Sequence, residues 1–306
     1  MSHDPTHTLA DLDGWAFSGT ALAVLGHPIK HSVSPAMHNA ALAALARREK
    51  DYLAWKYFRF DVPPADLPQA LVRLHAAGFH GLNLTVPHKV LAFDLVKEIN
   101  PAAVPVGAVN TLRRTADGWR GFNTDGYGLA AALREKLGVS LAGTHVILLG
   151  AGGAARGAAV ECLQQGCASL WIANRTRANL DTLLAALRPL AARTPLHGFD
   201  PAQPPANLPD GVLVINATSA GLKPGEPAPI DLRRLPAGAK VYDMIYNPPQ
   251  TALLREAAAL GLPHANGLAM LVYQGARALE IWTGATVPVA AMQSAAEAAL
   301  APASHD

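Results

Sequence analysis

The stretch HVILLGAGGAARGAAVECL, residues 145–163, restricts the fold of this chain more than any other. An apolar run ends at Gly150, and Gly150, Ala151, Gly152, Gly153, Ala154 and Ala155 lead straight into a helix-forming sequence. This is G-x-G-x-x-A in the setting its physics requires, after a strand and at the start of a helix. The first glycine permits the tight turn, the second lets backbone approach a pyrophosphate, and the small third residue packs helix on strand. The N–H groups of the helix start then hold the phosphates. Gly150, Ala151, Gly152, Gly153 and Ala154 are therefore candidate nucleotide-binding residues, and the local fold they require is a Rossmann unit.

The choice of dinucleotide is read at the end of the next strand. An NAD site places an acid there, about 20 residues on, to bind the ribose 2′-hydroxyl. Here WIANRTRANL places Asn174, Arg175, Thr176 and Arg177, with no acid before Asp181. A guanidinium clamps a 2′-phosphate that an acid would repel, so the expected cofactor is NADP.

The same alternation of strand and helix runs through the chain. Strands are expected at 21–26, 52–60, 80–85, 145–149, 169–176, 211–219 and 239–246. Helices are expected from Pro35 to Arg47, from Pro63-Pro64 to Gly78, over 88–96, from Gly126 to Leu137, after Gly150, and over 268–284. Such repetition implies mostly parallel sheets with helices on their faces. Ala116-Asp117-Gly118 between two strand-like runs reads as a hairpin, which adds an antiparallel strand to the first sheet.

Half of the 306 residues are apolar and 16% are charged, enough for a large core. A net charge of +2 gives no field for nucleic acid. No apolar run reaches the roughly 18 residues a membrane span needs, and the opening MSHDPTHTLADLDG has no secretory pattern. Cys162 and Cys167 read as buried thiols of a reduced, cytoplasmic protein, and the twelve histidines show no metal-ligand spacing.

Three pieces outside the nucleotide unit are unusually polar for strand ends: NLTVPHK (83–89), AVNT (108–111) and NTDG (123–126). Ligands of open α/β sheets bind beyond the carboxyl ends of strands. Asn83, Thr85 and Asn110 offer the paired donors and acceptors that a polyhydroxylated ligand wants. Lys89 and Asp125 supply the one oppositely charged pair among these pieces, the pattern of an acid/base lysine steadied by a carboxylate. Pro35 suits a first helical turn, which makes Ser34 the expected N-cap. Ser32 is then a second hydroxyl at a helix start, and the two together suit a small carboxylate.

The blocks GHPIKHSVSPAMHN, GLNLTVPHK, GAVNTL, GFNTDGYG, GAGGAARG, NRT, INATSAGL, YDMIYNPPQTALL and NGLAMLVYQGA occur in order over nearly the whole length. In this the chain resembles the shikimate dehydrogenase family. The resemblance implies reversible NADPH-dependent reduction of 3-dehydroshikimate to shikimate, in the biosynthesis of chorismate and aromatic amino acids. It implies two α/β domains with a cleft between them: a mixed-sheet substrate domain over 1–125, completed by 268–306, and a Rossmann domain over 126–267. Ser32 and Ser34 match the carboxylate-binding serines. Asn83, Asn110 and Gln274 match groups on the ring hydroxyls, and Thr85 and Tyr246 further pocket positions. Lys89 and Asp125 match the catalytic pair, which also contacts substrate. Asn174, Arg175 and Thr176 match the adenosine phosphate pocket, while Thr218, Met244, Gly267 and Met270 match residues around the nicotinamide.

Departures are small: His88 stands where Phe is common, Ala269 where Gly is common, and residues 1–18 lie outside the resemblance with no role assigned. The C-terminal helix is expected to bring Gln274 back to the first domain, and the cleft to close by a hinge. A monomer or homodimer is expected, with no nucleic-acid or membrane partner and no metal. The neighbouring readings are a quinate/shikimate dehydrogenase using NAD and a catalytically silent ligand sensor on the same fold. Arg175 and the Ser-x-Ser pair argue against the first, and the intact Lys89 and Asp125 against the second.

Overall fold

The computed structural model describes residues 5–301, and it holds two six-stranded sheets, each in its own compact unit. One unit takes the chain up to Thr124 and again from Gln274 onward; the other is Asp125–Tyr273.

The first unit contains β1 (Thr20–Gly26), α1 (Ser34–Ala46), β2 (Trp55–Asp61), α2 (Leu67–Ala76), β3 (Gly81–Leu84), α3 (His88–Leu91), β4 (Glu98–Ile99), β5 (Thr111–Thr115) and β6 (Gly118–Phe122). The strands lie in the order β2-β1-β3-β5-β6-β4. β1 pairs parallel with β2 and β3, whereas β5 pairs antiparallel with both β3 and β6. The β5–β6 turn closes with Thr115 opposite Gly118, as the Ala116-Asp117-Gly118 signal requires. Both faces are covered, so β1 is buried along nearly all its length rather than alternately. Phe60 joins the core cluster with Leu67, Leu71 and Leu74 of α2, while its neighbour Tyr57 lies against His38 of α1.

Residues 5–17, to which the sequence assigned no role, are part of this unit. Two backbone bonds tie His7 to the outer edge of β2, His7 N to Arg59 O and Asp61 N to His7 O, each 2.8 Å. A 3-10 helix, Leu9–Gly14, follows. Trp15 and Phe17 then pack on Phe58, and Trp15 also on Phe60 and Phe79. Farther along the same edge, Asn39 pairs with both backbone groups of Tyr57, its amide donating to Tyr57 O at 3.0 Å and its carbonyl accepting from Tyr57 N at 2.8 Å. Unpaired edges invite association, and here side chain and strap occupy them.

The helix expected over 88–96 is shorter than its sequence suggests. α3 is four residues long and passes into a 3-10 turn, Ala92–Asp94. Val90, Leu91 and Leu95 are exposed while His88 and Ala92 are buried, so no continuous apolar stripe sustains a longer helix.

The second unit contains α4 (Asp125–Leu137), β7 (His145–Leu149), α5 (Gly153–Gln164), β8 (Ser169–Ala173), α6 (Arg177–Leu187), β9 (Leu196–Phe199), β10 (Leu213–Asn216), β11 (Lys240–Asp243), α7 (Ala252–Ala259) and β12 (His264–Ala265). Its sheet is wholly parallel, in the order β12-β11-β10-β7-β8-β9. Numbered within the sheet, this is the doubly wound order 3-2-1-4-5-6 read from the far edge, and its switch point lies between β7 and β10. α8 (Leu268–Thr283) and α9 (Val289–Leu300) close the chain, and the division between the units falls inside α8, after Tyr273. Among the described residues no helix is long and apolar enough to cross a membrane.

Candidate active site

In the first unit the polar residues singled out by sequence meet around the carboxyl ends of β1 and β3. Ser32 accepts from the backbone N–H of Ser34 at 3.3 Å. Ser34 is thus the first residue of α1 rather than its cap; Val33 holds the cap position, and the backbone bond from Met37 N to Val33 O starts the helix. The physical reason is local: Ser32 already satisfies the Ser34 N–H, and Val33 keeps helical dihedrals.

Asn83, on β3, is buried and donates to Asn110 O at 3.1 Å and Thr111 Oγ1 at 3.0 Å, while its own carbonyl accepts from Tyr57 Oη at 2.7 Å. Asn110 donates to Thr124 Oγ1 at 3.0 Å and to Gln274 Oε1 at 3.2 Å. Asn110 Oδ1 accepts from Thr124 N at 2.9 Å, which fixes the backbone one residue before Asp125. Asn83, Asn110 and Gln274 therefore form one network, completed by Tyr57, Thr111 and Thr124, which the sequence reading missed. Polar side chains buried at strand ends were the available signal for the threonines; Tyr57 reads as ordinary core. Burial raises the Tyr57 hydroxyl well above its usual range, so it is neutral and a donor.

Thr85 bonds to Leu25 O at 3.3 Å, and its backbone carbonyl accepts from Lys89 N at 3.2 Å. Lys89 O in turn accepts from Val109 N at 2.8 Å, so the lysine backbone is anchored on both sides. The neighbouring His88 ring is buried, with Nε2 2.8 Å from Val62 O, and burial lowers its pKa.

In the second unit, Gly150, Ala151, Gly152, Asn174, Arg175 and Thr218 line one cavity of about 730 Å³, with Ser219, Ala220, Glu226 and Pro227 among residues the sequence did not indicate. Gly150 has φ +112°, and a Cβ there would meet Thr218 Cγ2 at 3.1 Å and Ala217 O at 3.2 Å. It lies at the switch point, where a side chain would block the approach of the two loops. Gly152 caps α5, and a Cβ on Gly152 or Gly153 would meet nothing, so that backbone faces open space. Ala154 follows in the first turn of α5.

Asn174 turns its amide to Thr176 O at 2.8 Å. Arg175 is exposed at the cavity, whereas Thr176 and Arg177 are not among its lining residues. Arg177 Nε is held by both oxygens of Asp181, each at 2.9 Å. Glu226 also faces the cavity, and backbone N–H groups of Gly221 and Lys223 hold its carboxyl below the ordinary range.

Met244 N donates to Asn216 O at 3.0 Å, and Gly267 N to Ile245 O at 3.1 Å. A Cβ on Gly267 would lie 2.1 Å from Met244 O, so only glycine allows this approach. Met270 and Tyr246 are half-buried, and burial raises the Tyr246 pKa. Among the described residues no group of His, Cys, Asp or Glu is arranged to hold a metal ion.

The family model of the shikimate dehydrogenase substrate-binding domain matches residues 24–112, and that of the shikimate 5′-dehydrogenase C-terminal domain matches residues 267–297. A curated shikimate dehydrogenase (NADP(+)) from Symbiobacterium thermophilum is 44% identical over 288 residues, 92% of this chain and 95% of the relative. The chain belongs to the shikimate dehydrogenase family. Two solved members have a similar structure. A shikimate dehydrogenase in complex with NADP+ has a TM-score of 0.83 and 32% identity, covering 99% of this chain and all of the other. The shikimate 5-dehydrogenase of Thermus thermophilus, in complex with NADP(H) and shikimate, has a TM-score of 0.80 and 36% identity over 92% of this chain and 100% of its own. The mixed sheet carrying the Asn83–Asn110–Gln274 network and the parallel sheet with its glycine turn are thus a family architecture.

Proposed function

We infer that the chain is an NADP-dependent shikimate dehydrogenase, which interconverts shikimate and 3-dehydroshikimate in aromatic amino-acid biosynthesis. The observation that carries this reading is its likeness to NADP(+)-dependent relatives over nine-tenths of its length. The residues present fit the dinucleotide: a glycine turn with positive φ at the switch point, an open helix start at Gly152 and Gly153, and Arg175 beside a cavity of about 730 Å³. No acid follows β8 before Asp181, and Arg177 already holds that acid.

Bound NADPH supplies a hydride to the ring ketone. The chain's own residues do the rest. The hydroxyls of Ser32 and Ser34 grip the substrate carboxylate, while Asn83, Asn110 and Gln274 bind ring hydroxyls, with Thr85 and Tyr246 as further contacts. The network that binds Asn83 to Tyr57 and Asn110 to Thr124 fixes these amides before substrate arrives, which removes the reorganisation a mobile amide would need. Lys89 Nζ hands a proton to the forming alkoxide, directly or through a water, and Asp125 orients that ammonium. Gly150, Ala151, Gly152, Gly153 and Ala154 cradle the pyrophosphate; Asn174 and Arg175, which line the cavity, face the 2′-phosphate end with Thr176 next to them, while Arg177 is tied to Asp181 on α6; Thr218, Met244, Gly267 and Met270 flank the nicotinamide.

We assign substrate binding to residues 1–125 with 268–306 and dinucleotide binding to 126–267, although the compact units divide one residue earlier, after Thr124, and again inside α8, after Tyr273. Buried, raised-pKa thiols at Cys162 and Cys167 suit a cytoplasmic setting, as a monomer or homodimer.

The test is absorbance at 340 nm with purified protein offered shikimate or quinate, each with NADP+ or NAD+. Reduction of NADP+ by shikimate is expected. Turnover with quinate and NAD+ alone would overturn the substrate and cofactor assignments, and silence in all four would leave a ligand sensor.

A further inference from the structure

Asp243 is the one acid among the buried side chains of the described residues, with no exposure at the end of β11. Its Oδ1 accepts from Asn216 Nδ2 and from Ile245 N, both at 3.0 Å, and its Oδ2 accepts from Thr251 Oγ1 at 2.6 Å. Asn216 is equally buried, ends β10, and stands directly opposite Asp243 in the parallel register. With its own Oδ1 it accepts from Thr218 N at 3.0 Å and Thr218 Oγ1 at 2.7 Å, and its backbone carbonyl takes the Met244 N–H. A continuous chain of bonds therefore runs from Thr218 through Asn216 and Asp243 to Ile245, across the ends of two neighbouring strands.

Packing alone does not explain an acid there. Burying a carboxylate is costly unless its lone pairs are filled, and an apolar residue of like volume serves a core as well. Burial pushes the Asp243 carboxyl up, and the Thr251, Ile245 and Asn216 donors oppose that shift. What a carboxylate does uniquely is accept from three donors on three different segments at once. The segments it joins are the end of β10, the turn after β11 and the cap of α7, whose Thr251 Oγ1 in turn accepts from Leu254 N at 3.3 Å.

We propose that Asn216 and Asp243 are a positioning pair, holding Thr218 on one loop and Met244 on the next in the geometry that receives the nicotinamide end of the coenzyme. Neither acts on the hydride. They act through Thr218, whose two donors are both spent on Asn216, and through Met244, whose backbone is pinned between Asn216 O and the Asp243-bound Ile245. The inference rests on the reading that Thr218 and Met244 flank the nicotinamide.

The test measures NADPH affinity by fluorescence titration, alongside steady-state kinetics and melting temperature, on the full chain. D243A removes the acceptors of Asn216 Nδ2, Ile245 N and Thr251 Oγ1 together, and is expected to weaken NADPH binding about 10- to 100-fold. D243N, whose amide oxygen can still accept from Asn216 and Ile245 while its NH2 donates to the Thr251 hydroxyl, is expected to keep most of that affinity. In a T218A background, D243A is expected to cost markedly less than in the native chain, because coupled residues are not additive. Full affinity in D243A, a loss in D243N as great as in D243A, or an undiminished loss in the T218A background each overturns the pair. If D243A does not fold, N216A replaces it, since it cuts the same link while leaving Asp243 its bonds from Ile245 and Thr251. NADPH affinity unchanged in N216A overturns the proposal equally. Full affinity in T218A itself would overturn the underlying placement of Thr218, and the pair's role with it.

Discussion

The hydroxyl of Tyr57 donates to the side-chain carbonyl of Asn83 at 2.7 Å, inside a sheet where both residues are buried. The bond settles which way the Asn83 amide faces, because its nitrogen must then serve Asn110 O and Thr111 Oγ1. Tyr57→Phe keeps the ring and its stack on His38, 4.0 Å between centroids, but leaves the Asn83 oxygen without that donor. Stability should fall by about 1 to 3 kcal/mol, the cost of an unsatisfied buried acceptor. Turnover with shikimate should drop as well, chiefly through KM as the amide loosens. Thermal melts and kinetics on this variant check both, and unchanged kcat/KM would separate Tyr57 from the substrate site.

In the proposed reaction Lys89 delivers the proton and Asp125 orients its ammonium. Lys89→Ala and Asp125→Asn should each lower kcat about 10²- to 10⁴-fold, the usual cost of losing acid–base help. Ser32→Ala should act differently and raise KM for shikimate with little change in kcat, since a carboxylate grip is made equally in ground and transition states. Steady-state kinetics on the three variants distinguish these patterns; native kcat in either of the first two removes that residue from the chemistry.

Much of this was legible in the sequence, and the parts that were not share a cause. The turn at Gly150 and the hairpin at 116–118 are local: a few residues dictate their own backbone, and each folds where its glycines and apolar flanks place it. Lys89, Asn83 and Asn110 stood out as polar residues at strand ends. By contrast, the tie of His7 to β2 joins residues more than fifty positions apart through backbone groups, which no side-chain pattern announces. The two-residue strands β4 and β12 are too short to show a period. Tyr57 looked like core because aromatic residues in a strand usually are, and only the tertiary fold brings Asn83 to its hydroxyl. Asp243 sat unnoticed within YDMIY, since burial is not written in one sequence.

His38 makes stability depend on pH. Burial lowers its pKa from 6.5 to about 4, opposed by its bond to Ser34 O. Below the unfolded value the unfolded chain takes up a proton that the folded ring refuses until about pH 4, so the unfolded state gains. The stability this ring contributes is therefore complete above about pH 6.5 and lost as pH falls towards 4, in all about 3 kcal/mol. His88, also lowered by burial, acts in the same direction. Urea unfolding at pH 7 and pH 5 should show the loss. His38→Phe, which keeps a ring against Tyr57 but cannot titrate, should be less stable at pH 7 and show a smaller fall on acidification. An identical fall in that variant would place the effect elsewhere.

Two arginines follow β8, and the structure gives them different work. Arg175 is exposed and lines the cavity of about 730 Å³. Arg177 lies one turn from Asp181 on the face of α6, its Nε shared between both carboxylate oxygens. If Arg175 is the group that reads the 2′-phosphate, Arg175→Ala should lower kcat/KM for NADP+ about 10- to 100-fold, the worth of a hydrogen bond to a charged group. NAD+ has no phosphate at that position, so its kcat/KM should stay near the native value and the preference between the two should narrow. Arg177→Ala removes an exposed ion pair of small worth and should change NADP+ kinetics less than about threefold. Measuring both variants with both coenzymes separates the roles. Equal losses with NADP+ and NAD+ in Arg175→Ala would mean the arginine supports the loop rather than the phosphate, and a large NADP+-specific loss in Arg177→Ala would mean that Asp181 releases its partner when coenzyme binds.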